Sequence, residues 1–140
     1  MALLTERVDA AWLLVAGWTV AVVVASAVDP SGAADTAGAV PVLGGGPPLG
    51  LHVTVWLHLG AYAVLAWLVA TATDADDVWT LGLAVAVASV VGLTVEAMQA
   101  TIPARTASVG DAVVNAVGAG LGAAWRRATG SFRRRRPRER

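Results

Sequence analysis

Residues 96–122 read EAMQATIPARTASVGDAVVNAVGAGLG, and this stretch decides how the rest of the chain is understood. It sets Glu96, Gln99, Arg105, Ser108, Asp111 and Asn115 among Ala, Val and Gly. Either side of Pro103 the pattern is too apolar for a soluble surface helix, and no alternation suggests strands. The stretch reads as the end of one membrane helix, a short loop, and the start of another. Polar groups placed in such helices are costly unless paired, and so need a reason.

Working outward, composition agrees. Of 140 residues, 56% are hydrophobic and 14% charged, against about 25% charged for a typical soluble domain. The apolar residues come in long runs. Spans are expected over 10–28, 51–73, 78–100 and 109–125, each long enough to cross roughly 30 Å of hydrocarbon at about 1.5 Å per residue, or nearly so. The first could pass for a signal peptide ending at Ala25-Ser26-Ala27, but Glu6 and Asp9 outweigh Arg7 in its lead, so a retained helix is expected. Asp29-Pro30 and the Gly/Pro-rich 29–50 segment form a loop, and Thr73–Asp77 a tight acidic turn. The expected fold class is all-α, an integral membrane four-helix bundle, with residues 1–125 as one four-span domain.

Charge is unevenly placed. Residues 126–140 hold eight Arg and one Glu, a net +7, and offset the acids of the rest of the chain. This segment is expected to be a disordered, basic, cytoplasmic tail. By the positive-inside rule it puts both termini in the cytoplasm of a multi-pass plasma-membrane protein. Without a folded reader domain the arginines do not suggest nucleic-acid binding. There is no Cys, hence no disulfide and no thiolate site. Five of the six Trp (12, 56, 67, 79 and 125) lie near expected helix ends, as interfacial Trp does.

With these boundaries, His58, Tyr62, Glu96, Gln99, Arg105, Ser108, Asp111 and Asn115 all fall in the outer half of the bundle. His58 and Tyr62 share a face at i and i+4, as do Asp111 and Asn115, and Glu96 and Gln99 at i and i+3. Ser108 and Asp111 have capping-box spacing. Gly118 and Gly122 form a small-xxx-small pair that serves close helix packing. His52 sits six residues from His58 and shares its face poorly. No close-spaced ligand pair suggests a metal, and no cofactor is expected. From spacing alone, the polar set reads equally as a structural clasp or as a ligand site.

The pattern E-x-x-Q, then P-x-R-x-x-S-x-x-D-x-x-x-N-x-x-G-x-x-x-G, resembles the VanZ-like membrane proteins. Here it comprises Glu96, Gln99, Pro103, Arg105, Ser108, Asp111, Asn115, Gly118 and Gly122, with His58 and Tyr62 matching the second-span His-x-x-x-Tyr. Thr54-Val55-Trp56-Leu57 stands where the family usually carries a charged pair such as Asp-Lys, and Ala100-Thr101 where an aromatic commonly follows the Gln. The resemblance implies an accessory membrane protein of the cell envelope; the founding member accompanies teicoplanin resistance.

Three functions are in view. The first is an accessory or binding protein for a lipid head group or lipid-linked envelope precursor, with membrane lipids as partners and a homo-oligomer or other membrane proteins as further ones. The second is a small intramembrane enzyme acting on lipid head groups. No catalytic residue is assigned, and Glu96, Asp111 and His58 are the candidates on that reading. The third is a structural subunit whose polar residues hold helices together.

Overall fold

The computed structural model describes residues 2–27, 51, 53–103 and 108–134. They form four helices in chain order: α1 (Ala2–Ala27), α2 (Val53–Ala72), α3 (Val78–Gln99) and α4 (Val109–Arg134). There is no strand among the described residues. The fold is an all-α four-helix bundle. Helices α1, α2 and α3 are long and apolar enough to cross a membrane; α4 does not reach that threshold. The expected 29–50 loop lies outside the described residues.

The buried positions explain the packing. On α2 they are Tyr62, Leu65, Ala66, Val69, Ala70 and Ala72; on α3 they are Leu81, Ala84, Ala88, Gly92, Val95, Glu96 and Gln99. Both sets follow the three-and-four spacing of one helix face. On α4 the buried stripe is Asn115, Gly118, Ala119, Gly122 and Ala123. Many large residues face outward instead: Leu57, Leu83, Leu93 and Leu121 are exposed. A small-residue interior beneath a large apolar exterior suits lipid, where helices associate by close packing.

Helix α4 packs chiefly on α2 and also on α3, while α1 lies against α2 and α3 and does not reach α4. The α2–α4 contact is made by backbone. A Cβ at Gly118 would meet the Leu59 carbonyl, and one at Gly122 the Ala63 carbonyl. Gly120, on the other face, has nothing within 4 Å. Helix α1 is held by the Trp18 indole, whose Nε1 donates to the Ala61 carbonyl at 2.9 Å.

The turn between α2 and α3 has a specific chemistry. Asp74 adopts φ 48°, a left-handed conformation that Asp tolerates better than most residues. Asp74 N–H donates to the Thr71 carbonyl at 3.2 Å and Ala75 N–H to the Ala70 carbonyl at 2.8 Å. These are the two bonds of a Schellman motif, with Asp in the usual glycine place. Asp77 then caps α3: its Oδ1 accepts from Trp79 N–H at 2.8 Å and Thr80 N–H at 3.1 Å, and Oδ2 from the Thr80 hydroxyl at 2.7 Å. These bonds, that of the Thr80 hydroxyl foremost, hold the Asp77 pKa below its ordinary value.

Two expectations are revised. The segment from residue 126 is not disordered throughout: α4 continues to Arg134, because Arg and Ala are good helix formers and no Pro interrupts the chain before Pro137. The lead before the expected 10–28 span is likewise helical, since α1 begins at Ala2.

Candidate functional site

The C-terminal ends of α1 and α3 and the N-terminal ends of α2 and α4 meet at one end of the bundle, called here the polar end. It is joined by bonds from each helix. Gln99, buried in the last turn of α3, donates from Nε2 to the Ser26 carbonyl of α1 at 3.2 Å. Ser26 stands in the last turn of α1, where carbonyls have run out of intrahelical donors, so the bond satisfies a helix end. The sequence carries no signal for this pairing, since a backbone carbonyl has no residue identity.

Glu96 is 7% exposed. Its Oε2 accepts the Ser108 backbone N–H at 2.9 Å, while the Ser108 hydroxyl accepts the Asp111 N–H at 3.3 Å. In a capping box the third helical residue would reach back to the cap N–H. Here half of the box forms as the Ser108–Asp111 spacing predicts, and the other half is supplied by Glu96 from α3. The Asp111 carboxylate, half-buried in the first turn of α4, is therefore not needed for the cap.

One turn deeper, Asn115 is 1% exposed, and its Oδ1 lies 2.9 Å from His58 Nδ1. With Oδ1 as the acceptor, His58 Nδ1 is the donor of this bond. His58 and Tyr62 follow each other along α2, ring centroids 6.5 Å apart and planes 17° from parallel. Opposite them, Gly92 on α3 makes room. A Cβ there would lie 3.1 Å from Asn115 Nδ2 and 3.2 Å from Tyr62 Cε1. Sequence reasoning passed over Gly92. Its signal was its place one turn before Glu96, a residue without a side chain on the polar face of α3.

Seven of the eight candidates are thus placed at one end of the bundle: His58, Tyr62, Glu96, Gln99, Ser108, Asp111 and Asn115. Arg105 and His52 lie outside the described residues. Three buried atoms in the cluster have no hydrogen-bond partner among the described residues: Tyr62 Oη, Glu96 Oε1 and Asn115 Nδ2. They come from three different helices. Leaving such groups unpaired costs about 1–3 kcal/mol each and more for a charge. Together they offer two donors, one of which also accepts, and a carboxylate acceptor. A group that both donates and accepts, such as a hydroxyl or an amide, would complement them. Gly92 leaves little space between α3 and the Tyr62 and Asn115 side chains.

The opposite end of the bundle holds the Schellman turn and the far part of α4. There Arg126 Nη2 donates to Asp74 Oδ1 at 2.9 Å. With Glu96 and Ser108 joined at one end and Asp74 and Arg126 at the other, α4 runs the full height of α2 and α3. Comparison with known proteins finds no matching family model, no matching curated protein and no matching solved structure.

Proposed function

We propose that this chain is a VanZ-like accessory membrane protein, and that its polar end binds a hydroxyl or amide of a lipid head group or lipid-linked envelope precursor. The single observation that carries the reading is the trio of unpaired buried atoms, Tyr62 Oη, Glu96 Oε1 and Asn115 Nδ2. Buried polar atoms are almost always satisfied, and a cluster of exceptions on three helices supports a reading in which a bound molecule completes the bonding. All four helices cross the membrane in this reading, the polar end faces outward, and the arginine-rich C-terminus stays in the cytoplasm. Arg105, four residues beyond Thr101 in the connection from α3 to α4, would supply a forked cation for a phosphate or carboxylate.

A second reading rests on the bonds that are made. The His58–Asn115, Glu96–Ser108 and Gln99–Ser26 contacts join all four helices and would serve as a clasp with no ligand at all. The two readings separate in one experiment. The protein is purified in mild detergent and its bound lipids are identified by native mass spectrometry, wild type beside Glu96→Gln. Gln can still accept the Ser108 N–H, so the cap survives. A lipid species held by the wild type and lost from a folded variant supports the ligand site. No specific lipid, with a variant that merely melts earlier, leaves the clasp.

A further inference from the structure

At the end of the bundle away from the polar cluster, α2, α4 and the turn between α2 and α3 enclose a cleft of about 940 Å³. Thr71, Asp74, Asp76, Arg126, Arg127 and Gly130 line it. A second, smaller groove of about 380 Å³ lies between α2 and α4 and is lined by Ala63, Val64, Leu121 and Gly122. Trp67 and Trp125 border both. The charged cleft and the apolar groove thus share two Trp side chains. Trp concentrates at the head-group level of membranes, which would set the charged part at that level and the apolar part beside the acyl chains.

The charged part is built rather than incidental. The Arg126 side chain is 16% exposed although its partner Asp74 is 97% exposed. Asp74 accepts from one of the five N–H groups of that guanidinium. Gly130 leaves the space the guanidinium fills: a Cβ at 130 would lie 2.7 Å from Arg126 Nη1. The lining carries two guanidinium groups and two carboxylates. A purely anionic head group would be drawn by the first pair and repelled by the second. A head group with both a phosphate and a primary ammonium meets both. We propose that this cleft and groove hold one membrane aminophospholipid, with its phosphate on Arg126, its ammonium on the exposed Asp74 carboxylate, and an acyl chain in the Ala63–Leu121 groove. The site is independent of the polar end and stands whether or not that end takes a ligand.

The test is native mass spectrometry of the full chain in detergent, titrated with phosphatidylethanolamine or phosphatidylglycerol of identical acyl chains. The wild type should retain the ethanolamine lipid several-fold better. Arg126→Gln should cut retention of both lipids about tenfold, since a charge-assisted bond to phosphate is lost. Asp74→Asn, which tolerates the same left-handed backbone, should remove only the preference for ethanolamine. Leu121→Trp, filling the groove from an exposed position with the ion pair intact, should reduce both and guards against misfolding of the Arg126 variant. Equal retention of the two lipids by the wild type, as for bulk annular lipid, overturns the proposal. So does undiminished binding in both Arg126→Gln and Leu121→Trp.

Discussion

Replacing Gly122 by Ala should destabilise the bundle, while the same change two residues earlier, at Gly120, should stabilise it. An added Cβ at 122 collides with the Ala63 carbonyl of α2. That atom belongs to a helix backbone and cannot swing aside as a flexible side chain would, so α2 and α4 must part. Parting them loosens the packing of Leu65, Ala66, Ala119 and Ala123, all buried. Overpacking of this kind costs about 1–3 kcal/mol. Drawing the two backbones apart forfeits about 0.5–1 kcal/mol more of weak C–H···O attraction between them. Against this stands the better helix propensity of Ala, about 1 kcal/mol. The net is about 2 kcal/mol of destabilisation at Gly122. At Gly120, where nothing lies within 4 Å, only the propensity gain of about 1 kcal/mol remains. The two variants should therefore differ by about 3 kcal/mol although they stand two residues apart on one helix. Thermal unfolding in a single detergent, followed by circular dichroism, reads the difference. A Gly122→Ala protein that melts with or above Gly120→Ala would refute direct backbone contact between α2 and α4.

Other expectations follow from the same geometry. Tyr62→Phe removes a buried hydroxyl that has no partner among the described residues; the delipidated protein should be stabilised by up to about 1–3 kcal/mol, while retention of the polar-end ligand falls, and a lower melting point would show the hydroxyl to be structurally bonded. Gly92→Ala places a methyl 3.1–3.2 Å from Asn115 and Tyr62; because those are side chains that can give slightly, it should cost less stability than Gly122→Ala yet reduce ligand retention strongly, and the reverse order in the same two assays would count against the site. Asp77 has its pKa lowered by its capping bonds, so its contribution is complete above the ordinary carboxylate range of about pH 4 and fades as pH falls through the folded-state value. Asp77→Asn, which still caps, should flatten the acid limb of the stability profile, and an unchanged limb would remove Asp77 from the account. Cys introduced singly at exposed Thr101 and at Thr129 should react with an impermeant maleimide in intact cells only at 101; labelling at 129 alone would invert the proposed topology.

Much of this is legible in the sequence because membrane helices are written in long words. The three apolar runs mark three helices, most of their ends within a few residues of those observed, and Ser108 is readable as a cap from its spacing to Asp111. The face shared by Glu96 and Gln99 is readable too, since i and i+3 positions must lie together on a helix. What spacing cannot show is which partner a polar atom chooses. Glu96 serves the Ser108 N–H rather than a side chain, and Gln99 a carbonyl on α1; backbone groups are present at every position and leave no mark in the sequence. The persistence of helix beyond Trp125 is harder to see, because a dense run of arginines signals charge before it signals the helix propensity of the same residues.

The division of the α4 cap between two helices has a consequence for how the chain comes to be built in a membrane. Helix α4 is not apolar enough to cross by the criterion that α1, α2 and α3 meet, and its buried stripe, with Asn115 at the top, is matched only by α2 and α3. Its cap residue, Ser108, draws one bond from Glu96, which precedes it in the chain. A nascent α4 entering hydrocarbon alone would expose Asn115 and leave the Ser108 N–H without its acceptor, whereas one entering beside an α2–α3 hairpin would find both satisfied. If α4 crosses the membrane as proposed, its entry thereby depends on the helices that precede it in the chain. On that proposed reading, removing α2 and α3 should keep α4 out of the bilayer even though its own sequence is intact.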